Sequence, residues 1–291
     1  MQNMTQNAAD NTSLGSETAP ERDSYDIIVI GAGPAGLSAA LTARNRGLSV
    51  CIVSTPSDES GLYRAERVDN YPGLPELSGR ELHEQMYAHA NAREVTIRNG
   101  RVISSAANER GCTIAVGSSV FSARALILAT GVVQTSSFSG EREFLGRGVS
   151  YCATCDGMLF RRKTVAVIGF SSDAKEEAEF LRSIGCEVLF FESRSARYQI
   201  LGGDRVETLT VNGEANSVAA VFILRPGIAP ESLLPGLELD SGHIKTKRDM
   251  STNIAGVFAA GDATGKPYQI AKAVGEGNVA ALSASEYLSN R

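Results

Sequence analysis

The stretch Tyr25-Asp-Ile-Ile-Val-Ile-Gly-Ala-Gly-Pro-Ala-Gly36 decides the fold. Tyr25–Ile30 is a short apolar run, which reads as a buried strand. Gly31, Gly33 and Gly36 follow, then a helix-like run, Leu37–Arg46, that Gly47 ends. Leu48–Val53 is the next strand. Strand, glycines, helix and strand fit within about 30 residues, the βαβ context that gives this glycine pattern its meaning. Gly31 permits the tight turn, Gly33 lets the backbone approach a pyrophosphate, and Gly36 lets helix and strand pack closely. The helix N-terminus then offers N–H groups and partial positive charge to phosphates. The second strand ends in Ser54 and not in an acid that would take a ribose hydroxyl.

Working outward, Leu126–Gly131 (LILATG) is a buried strand ending in Thr-Gly, and Gly256–Asp262 (GVFAAGD) is a strand ending in Gly-Asp. An Ala-rich helix, Ile270–Leu288, follows. Between these lies a second βαβ pattern: strand Thr164–Ile168, loop Gly169–Ala174, helix Lys175–Ser183 and strand Cys186–Phe191. The chain therefore reads as α/β, with two nested Rossmann-like, three-layer βαβ domains, the first interrupted by the second. The expected partition is a disordered tail at 1–23, a first domain at 24–144 and 228–291, and a shortened second domain at 145–227. The crossings fall near Glu141–Arg147 and Pro226–Pro230, where Gly, Pro and charge accumulate.

The 291 residues suit two domains, and 43% hydrophobic content can build a core. A net charge of -5 gives no footprint for nucleic acid or an anionic membrane. No apolar run approaches the roughly 20 residues that span a bilayer. Residues 1–23 carry almost nothing apolar, so burial cannot offset their ordering entropy. They also lack the basic start and apolar stretch of a secretory signal. The expected compartment is the cytoplasm.

Of five cysteines only Cys152 and Cys155 are close, within Val149-Ser-Tyr-Cys-Ala-Thr-Cys-Asp-Gly157. Such a pair is a redox disulfide, half of a zinc site, or two coincidental thiols. Zinc wants four ligands. His83, His89 and His243 are scattered and no second close cysteine pair exists, so no metal is expected. The spacing suits a disulfide at a turn entering a helix, where the helix N-terminus favours thiolate. Asp156 reads either as a helix-cap carboxylate or as an acid–base group.

Together these stretches resemble the low-molecular-weight thioredoxin reductase family. The likeness is carried by GAGPAG at Gly31, VDNYPG at Val68–Gly73, LATG at Leu128–Gly131 and GRGVSYCATCDG at Gly146–Gly157, then by GVFAAGDAT at Gly256–Thr264 and ALSASEYL at Ala281–Leu288. The resemblance implies a homodimeric FAD enzyme. It implies FAD held by Gly31, Gly33, Gly36, Asn70, Thr130 and Asp262, with Pro34, Ala35, Val102, Gly131, Gly261, Gln269 and Ile270 among its contacts. It also makes Cys155 the flavin-facing sulfur, Cys152 the sulfur that attacks the substrate disulfide, and Asp156 the proton donor or acceptor.

The second nucleotide loop departs from that family. Ser171 stands where its second glycine belongs, and a Cβ there intrudes on the approach to a pyrophosphate. Glu192 stands where a 2′-phosphate would be grasped, with Arg194 and Arg197 nearby. The segment Thr164–Leu224 is also roughly half the length such a domain spends. NADPH is therefore not the expected donor. A ferredoxin, NADH or a second FAD remain, and the expected activity passes electrons from FAD through Cys152–Cys155 to a protein disulfide such as that of thioredoxin. The alternatives are an NAD(P)H-dependent reductase and a flavin-binding redox sensor that does not turn over.

Overall fold

The computed structural model describes residues 24–55, 62–63, 65–117, 119–132, 138–171, 173–225 and 229–291. The tail expected to be disordered and the expected boundary at 227/228 lie outside these residues.

The first unit opens with β1 (Ser24–Ile30), α1 (Pro34–Asn45), β2 (Val50–Ser54), α2 (Gly79–Ala92) and β3 (Thr96–Asn99). It continues with β4 (Val102–Asn108), β5 (Gly111–Val116) and β6 (Ser119–Leu128). The second unit holds β7 (Val149–Ser150), α3 (Ala153–Asp156), β8 (Thr164–Gly169), α4 (Ala174–Ser183) and β9 (Glu187–Phe191). After these come β10 (Tyr198–Gly202), β11 (Val206–Val211), β12 (Glu214–Ser217) and β13 (Ala220–Leu224). The chain then returns through α5 (Pro230–Leu233), β14 (Leu239–Asp240), β15 (His243–Ile244), β16 (Val257–Ala259) and α6 (Ile270–Ser289).

The first sheet runs β3-β2-β1-β6-β5-β4, with β16 beside the second half of β6. β1 is parallel to β2 and β6, with Ile27 opposite Val50 and Ala125. Strands buried on both faces need continuous apolar runs, which is why YDIIVI and LILA read as they do. On one face α1 and α6 meet through alanines, Ala39 and Ala40 against Ala280, Ala281 and Ala284, all fully buried. Their closeness needs Gly277, because a Cβ there would lie 2.1 Å from the Ala35 carbonyl oxygen. On the other face Leu233, Leu234 and Ile244 pack beneath the β4–β6 meander.

The second sheet is parallel, β7-β13-β8-β9. One face is covered by α4, through Ala178 and Leu181 against Phe222. The other is covered by a separate antiparallel sheet, β10-β11-β12, through Ile200 and Leu209 against Ile223. Strand 206–211 thus belongs to this outer meander and not to the parallel sheet. No helix among the described residues lies between β9 and β13. Between β9 and β13 the described chain forms only this three-stranded cover.

The two crossings are tied together. Arg225 Nη1 and Nη2 donate to Glu141 Oε1 and Oε2 at 2.6 and 2.8 Å, and the Tyr151 hydroxyl donates to Oε1 at 3.1 Å. Glu141 is buried, and Arg225 lies over the Phe138 ring. Burial, reinforced by the Glu141 charge, pushes the Tyr151 hydroxyl up. Cys51, Cys112 and Cys186 are free and buried. No helix among the described residues is long and apolar enough to cross a membrane.

Candidate active site

The glycine loop after β1 is built as its sequence requires. Gly31 has φ +109°, and a Cβ there would sit 2.2 Å from the Ala129 carbonyl oxygen at the end of β6. A Cβ on Gly36 would sit 1.9 Å from the Gly31 carbonyl oxygen. Gly33 is different: nothing lies within 4 Å of its Cβ position. α1 begins with Pro34, has no side-chain cap and has no acid in its first turn. No side chain among the described residues therefore caps its first N–H groups. Beside this loop, Thr130 Oγ1 is buried with no hydrogen-bond partner among the described residues. Gly131 follows it at φ +68°, and Val102 is buried at the start of β4.

Gly261 and Asp262 lie in a 3-10 turn, Gly261–Thr264, after β16. Burial raises the Asp262 carboxyl, with the Lys272 charge opposing it and Glu276 adding to it. α6 braces this turn. Lys272 Nζ donates to the Gly261 and Gly265 carbonyls at 2.8 and 2.7 Å, and Glu276 Oε2 accepts from the Gly261 N–H at 2.9 Å. Asn70 Nδ2 donates to Gln269 Oε1 at 2.8 Å, so two side chains far apart in sequence are brought together here. Ile270, half-buried, begins α6 beside them.

Cys152 and Cys155 form a disulfide, with Cα atoms 5.4 Å apart. Cys152 is the cap residue of α3. Its Sγ accepts the Cys155 N–H at 3.1 Å and lies 3.3 Å from Thr154 Oγ1. Cys152 is 5% exposed, while Cys155 is exposed and its Sγ lies 3.1 Å from the Gly117 carbonyl oxygen. Asp156 does not cap this helix. Its Oδ2 accepts from Ser150 Oγ at 2.7 Å, and Ser150 Oγ accepts the Cys152 N–H at 3.1 Å. Sequence reading missed Ser150, Lys272 and Glu276. It also missed Glu177, whose Oε2 accepts the Ala153 N–H at 2.7 Å. Glu177 shares the apolar side of α4 with Ala174, Ala178 and Leu181, and an acid on such a stripe was the available signal.

The second glycine loop is not a copy of the first. Asp173 is the cap residue of α4, and Glu176 and Glu177 stand in its first turn. Ser171 Oγ and the Asp173 carboxylate are both bonded to Arg101 of the first unit. A cleft of about 340 Å³ remains beside them, lined by Phe170, Ser171, Lys175, Phe190, Glu192 and Arg194 among others. Glu192 pairs with Lys175, and Arg194 donates to the Phe170 carbonyl while lying over its ring.

The family model described as pyridine nucleotide-disulphide oxidoreductase matches residues 25–201 and 193–277. The chain belongs to that family. This oxidoreductase is 30% identical to a thioredoxin reductase of Listeria innocua, over 93% of this chain and 96% of the relative. Its structure is similar to that of a ferredoxin-flavin thioredoxin reductase from Clostridium acetobutylicum, at TM-score 0.86 and 36% identity, covering 92% of this chain and 98% of that one. It is also similar to a thioredoxin reductase from Gloeobacter violaceus, at TM-score 0.79 and 29% identity, covering 92% and 95%. The oxidoreductase is a flavoprotein disulfide reductase of the thioredoxin reductase type. The family's FAD fits the first loop on three observations: the uncapped, acid-free α1, the open space beyond Gly33 and the unpartnered Thr130 hydroxyl.

Proposed function

We propose that this reductase draws its electrons from a ferredoxin-type donor and not from NADPH, and delivers them through Cys152–Cys155 to a thioredoxin-like protein disulfide. The observation that carries this reading is the contrast between the two helix N-termini. α1 offers bare N–H groups to a phosphate. α4 presents Asp173, Glu176 and Glu177 at the corresponding place, and Ser171 is bonded to an arginine of the other unit. Three carboxylates repel a pyrophosphate, and the Glu192 carboxylate repels a 2′-phosphate. The Clostridium relative, named for ferredoxin and flavin, supports the same choice of donor.

In this reading Gly31, Gly33, Pro34, Ala35 and Gly36 cradle the FAD pyrophosphate at the start of α1. Asp262 at Gly261 takes a ribitol hydroxyl, and Asn70, Val102, Thr130, Gly131, Gln269 and Ile270 line the remainder. Bound FAD supplies electrons in pairs to a disulfide, whether it receives them singly or together. The disulfide takes up two electrons and two protons and opens to a dithiol. Cys155 would be the sulfur that takes the electrons from the flavin. Cys152 becomes the attacking thiolate, stabilised by the Cys155 N–H and the Thr154 hydroxyl that already reach its sulfur. Asp156, oriented by Ser150, holds or releases the proton. Cys152 then bonds to a sulfur of the partner disulfide, the partner's other sulfur leaves, and Cys155 closes on Cys152 to release the reduced partner. The domain limits 24–144, 145–227 and 228–291 and a homodimeric assembly belong to the same proposal.

Met158 and Leu159, directly after the pair, are 58% and 71% exposed. They offer apolar surface to an incoming protein. Leu159→Glu is expected to raise the KM for thioredoxin about tenfold, the scale of a lost interface anchor. An unaltered KM would remove this surface from the docking site.

The donor is tested by anaerobic mixing while flavin absorbance is followed. Reduced ferredoxin is expected to bleach the flavin rapidly, and NADPH and NADH are expected to leave it oxidised. Rapid bleaching by micromolar NADPH would overturn the proposal. A second reading, in which the small unit holds a second FAD, has room in the cleft at Phe170 and Arg194 but requires its pyrophosphate to lie clear of the carboxylates at the start of α4. Counting FAD per chain in the purified protein separates the two.

A further inference from the structure

We propose that Arg101 is a positioning residue, which clamps α4 of the second unit and, through Glu177, holds the cysteine-pair helix against the first unit. Arg101 sits between β3 and β4, with its side chain 5% exposed. The bonds shown for this guanidinium cross between units. The two N–H groups of Nη2 are shared among Ser171 Oγ at 3.2 Å, Asp173 Oδ1 and Oδ2 at 2.7 and 2.6 Å, and Glu177 Oε1 at 3.0 Å. Nε and Nη1 have no partner among the described residues. A guanidinium buried with two of its nitrogens unbonded has given up hydration for these contacts alone.

The clamp reaches the sulfurs in one step. The second oxygen of Glu177 accepts the N–H of Ala153, the residue after Cys152. α3 is four residues long, too short to sustain itself, so its direction is imposed from outside. At its far end Cys155 Sγ meets the Gly117 carbonyl of the β5–β6 turn, and a Cβ at Gly117 would lie 3.9 Å from Thr154 Oγ1. α3 is thus held between Glu177 and a turn of the first unit. The Glu141–Arg225 pair fastens the crossings independently.

Electrostatics agrees with the geometry. Burial raises the Asp173 carboxyl, but hydrogen bonding and charge from Arg101, with Ser171, bring it below the usual carboxylate range. Burial raises Glu177, and Arg101 and the Ala153 N–H counter this only in part, against the nearby charges of Asp173 and Glu176. Without Arg101, the Asp173 and Glu177 carboxylates would face each other uncompensated. The loop that would elsewhere cradle a phosphate has here become the socket of an interdomain ion pair. The inference uses the disulfide as a landmark and holds whichever protein supplies or takes the electrons.

The test is amide hydrogen exchange on the full FAD-loaded chain, comparing the native protein with Arg101→Ala, Arg101→Lys and Glu177→Gln. In Arg101→Ala, exchange is expected to rise about tenfold in segments 149–160 and 174–183, the response of a local opening. Segment 206–211 and α1, which do not touch the clamp, should keep native rates. Arg101→Lys should restore part of the protection. Glu177→Gln, which keeps an oxygen for the Ala153 N–H but loses its charge, should raise exchange less than Arg101→Ala; it also serves if Arg101→Ala does not fold. Native exchange in both segments for Arg101→Ala and Glu177→Gln would overturn the proposal. So would a uniform rise across the chain, or no recovery with lysine.

Discussion

A protein in which Cys152 and Cys155 are both serine will keep its yellow flavin and reduce no protein disulfide. The expected loss of turnover is about 10⁴-fold or more, the scale on which removal of an essential nucleophile is felt. The first loop, Thr130 and the Gly261–Thr264 turn touch neither sulfur, so cofactor content should match the native protein. In a reductive titration the variant should take up only the flavin's own electron pair, whereas the native protein passes a further pair into the disulfide. Single variants assign the roles. Cys155→Ser keeps the sulfur that attacks and should trap thioredoxin as a stable mixed disulfide. Cys152→Ser should trap none. Retained turnover in the double variant would end the redox reading, and trapping by Cys152→Ser would exchange the two roles.

Gly31→Ala and Gly33→Ala, two residues apart, should fail in different ways. At Gly31 the added carbon meets backbone, 2.2 Å from the Ala129 oxygen, at a φ of +109° that side chains rarely adopt. Neither β1 nor β6 can yield, because both lie inside the first sheet with a strand on either side. The apoprotein should lose about 2–4 kcal/mol, the sum of positive-φ strain and a core clash. At Gly33 the added carbon enters open space, so the apoprotein should keep native stability while FAD affinity falls. Denaturant midpoints of the two apoproteins, beside their flavin content, give the comparison. Equal midpoints would mean that Gly31 is not a packing residue.

The first βαβ unit was legible because its demands are local. A positive φ, a close approach and an uncapped helix start are each written within Gly31–Gly36. The damage to the second loop was legible for the same reason: Ser171 replaces a glycine. What that serine does was not legible, because its partner Arg101 is brought to it only by folding. The same applies to Glu177 over Ala153, to Glu141 with Arg225, and to Lys272 beneath the Gly261 turn. The outer meander was half seen. β11 carries the apolar Val206, Leu209 and Val211, but β12 is Glu-Ala-Asn-Ser, without a buried residue, and exists because β11 offers it an edge. The helix boundaries were read to within a few residues, α1 starting at Pro34 where Leu37 was expected, because proline fits a first turn.

Three other thiols share this chain with the Cys152–Cys155 disulfide, which in the proposed reaction opens and closes at every turnover. Burial pushes the thiols of Cys51 and Cys112 up to about 11 and raises Cys186 as well. At neutral pH they remain protonated, and a protonated sulfur does not swap bonds. In the proposed reaction the open Cys152–Cys155 pair would therefore meet no competing thiolate from these three, and its one exchange within the chain would be the closing of Cys155 on Cys152.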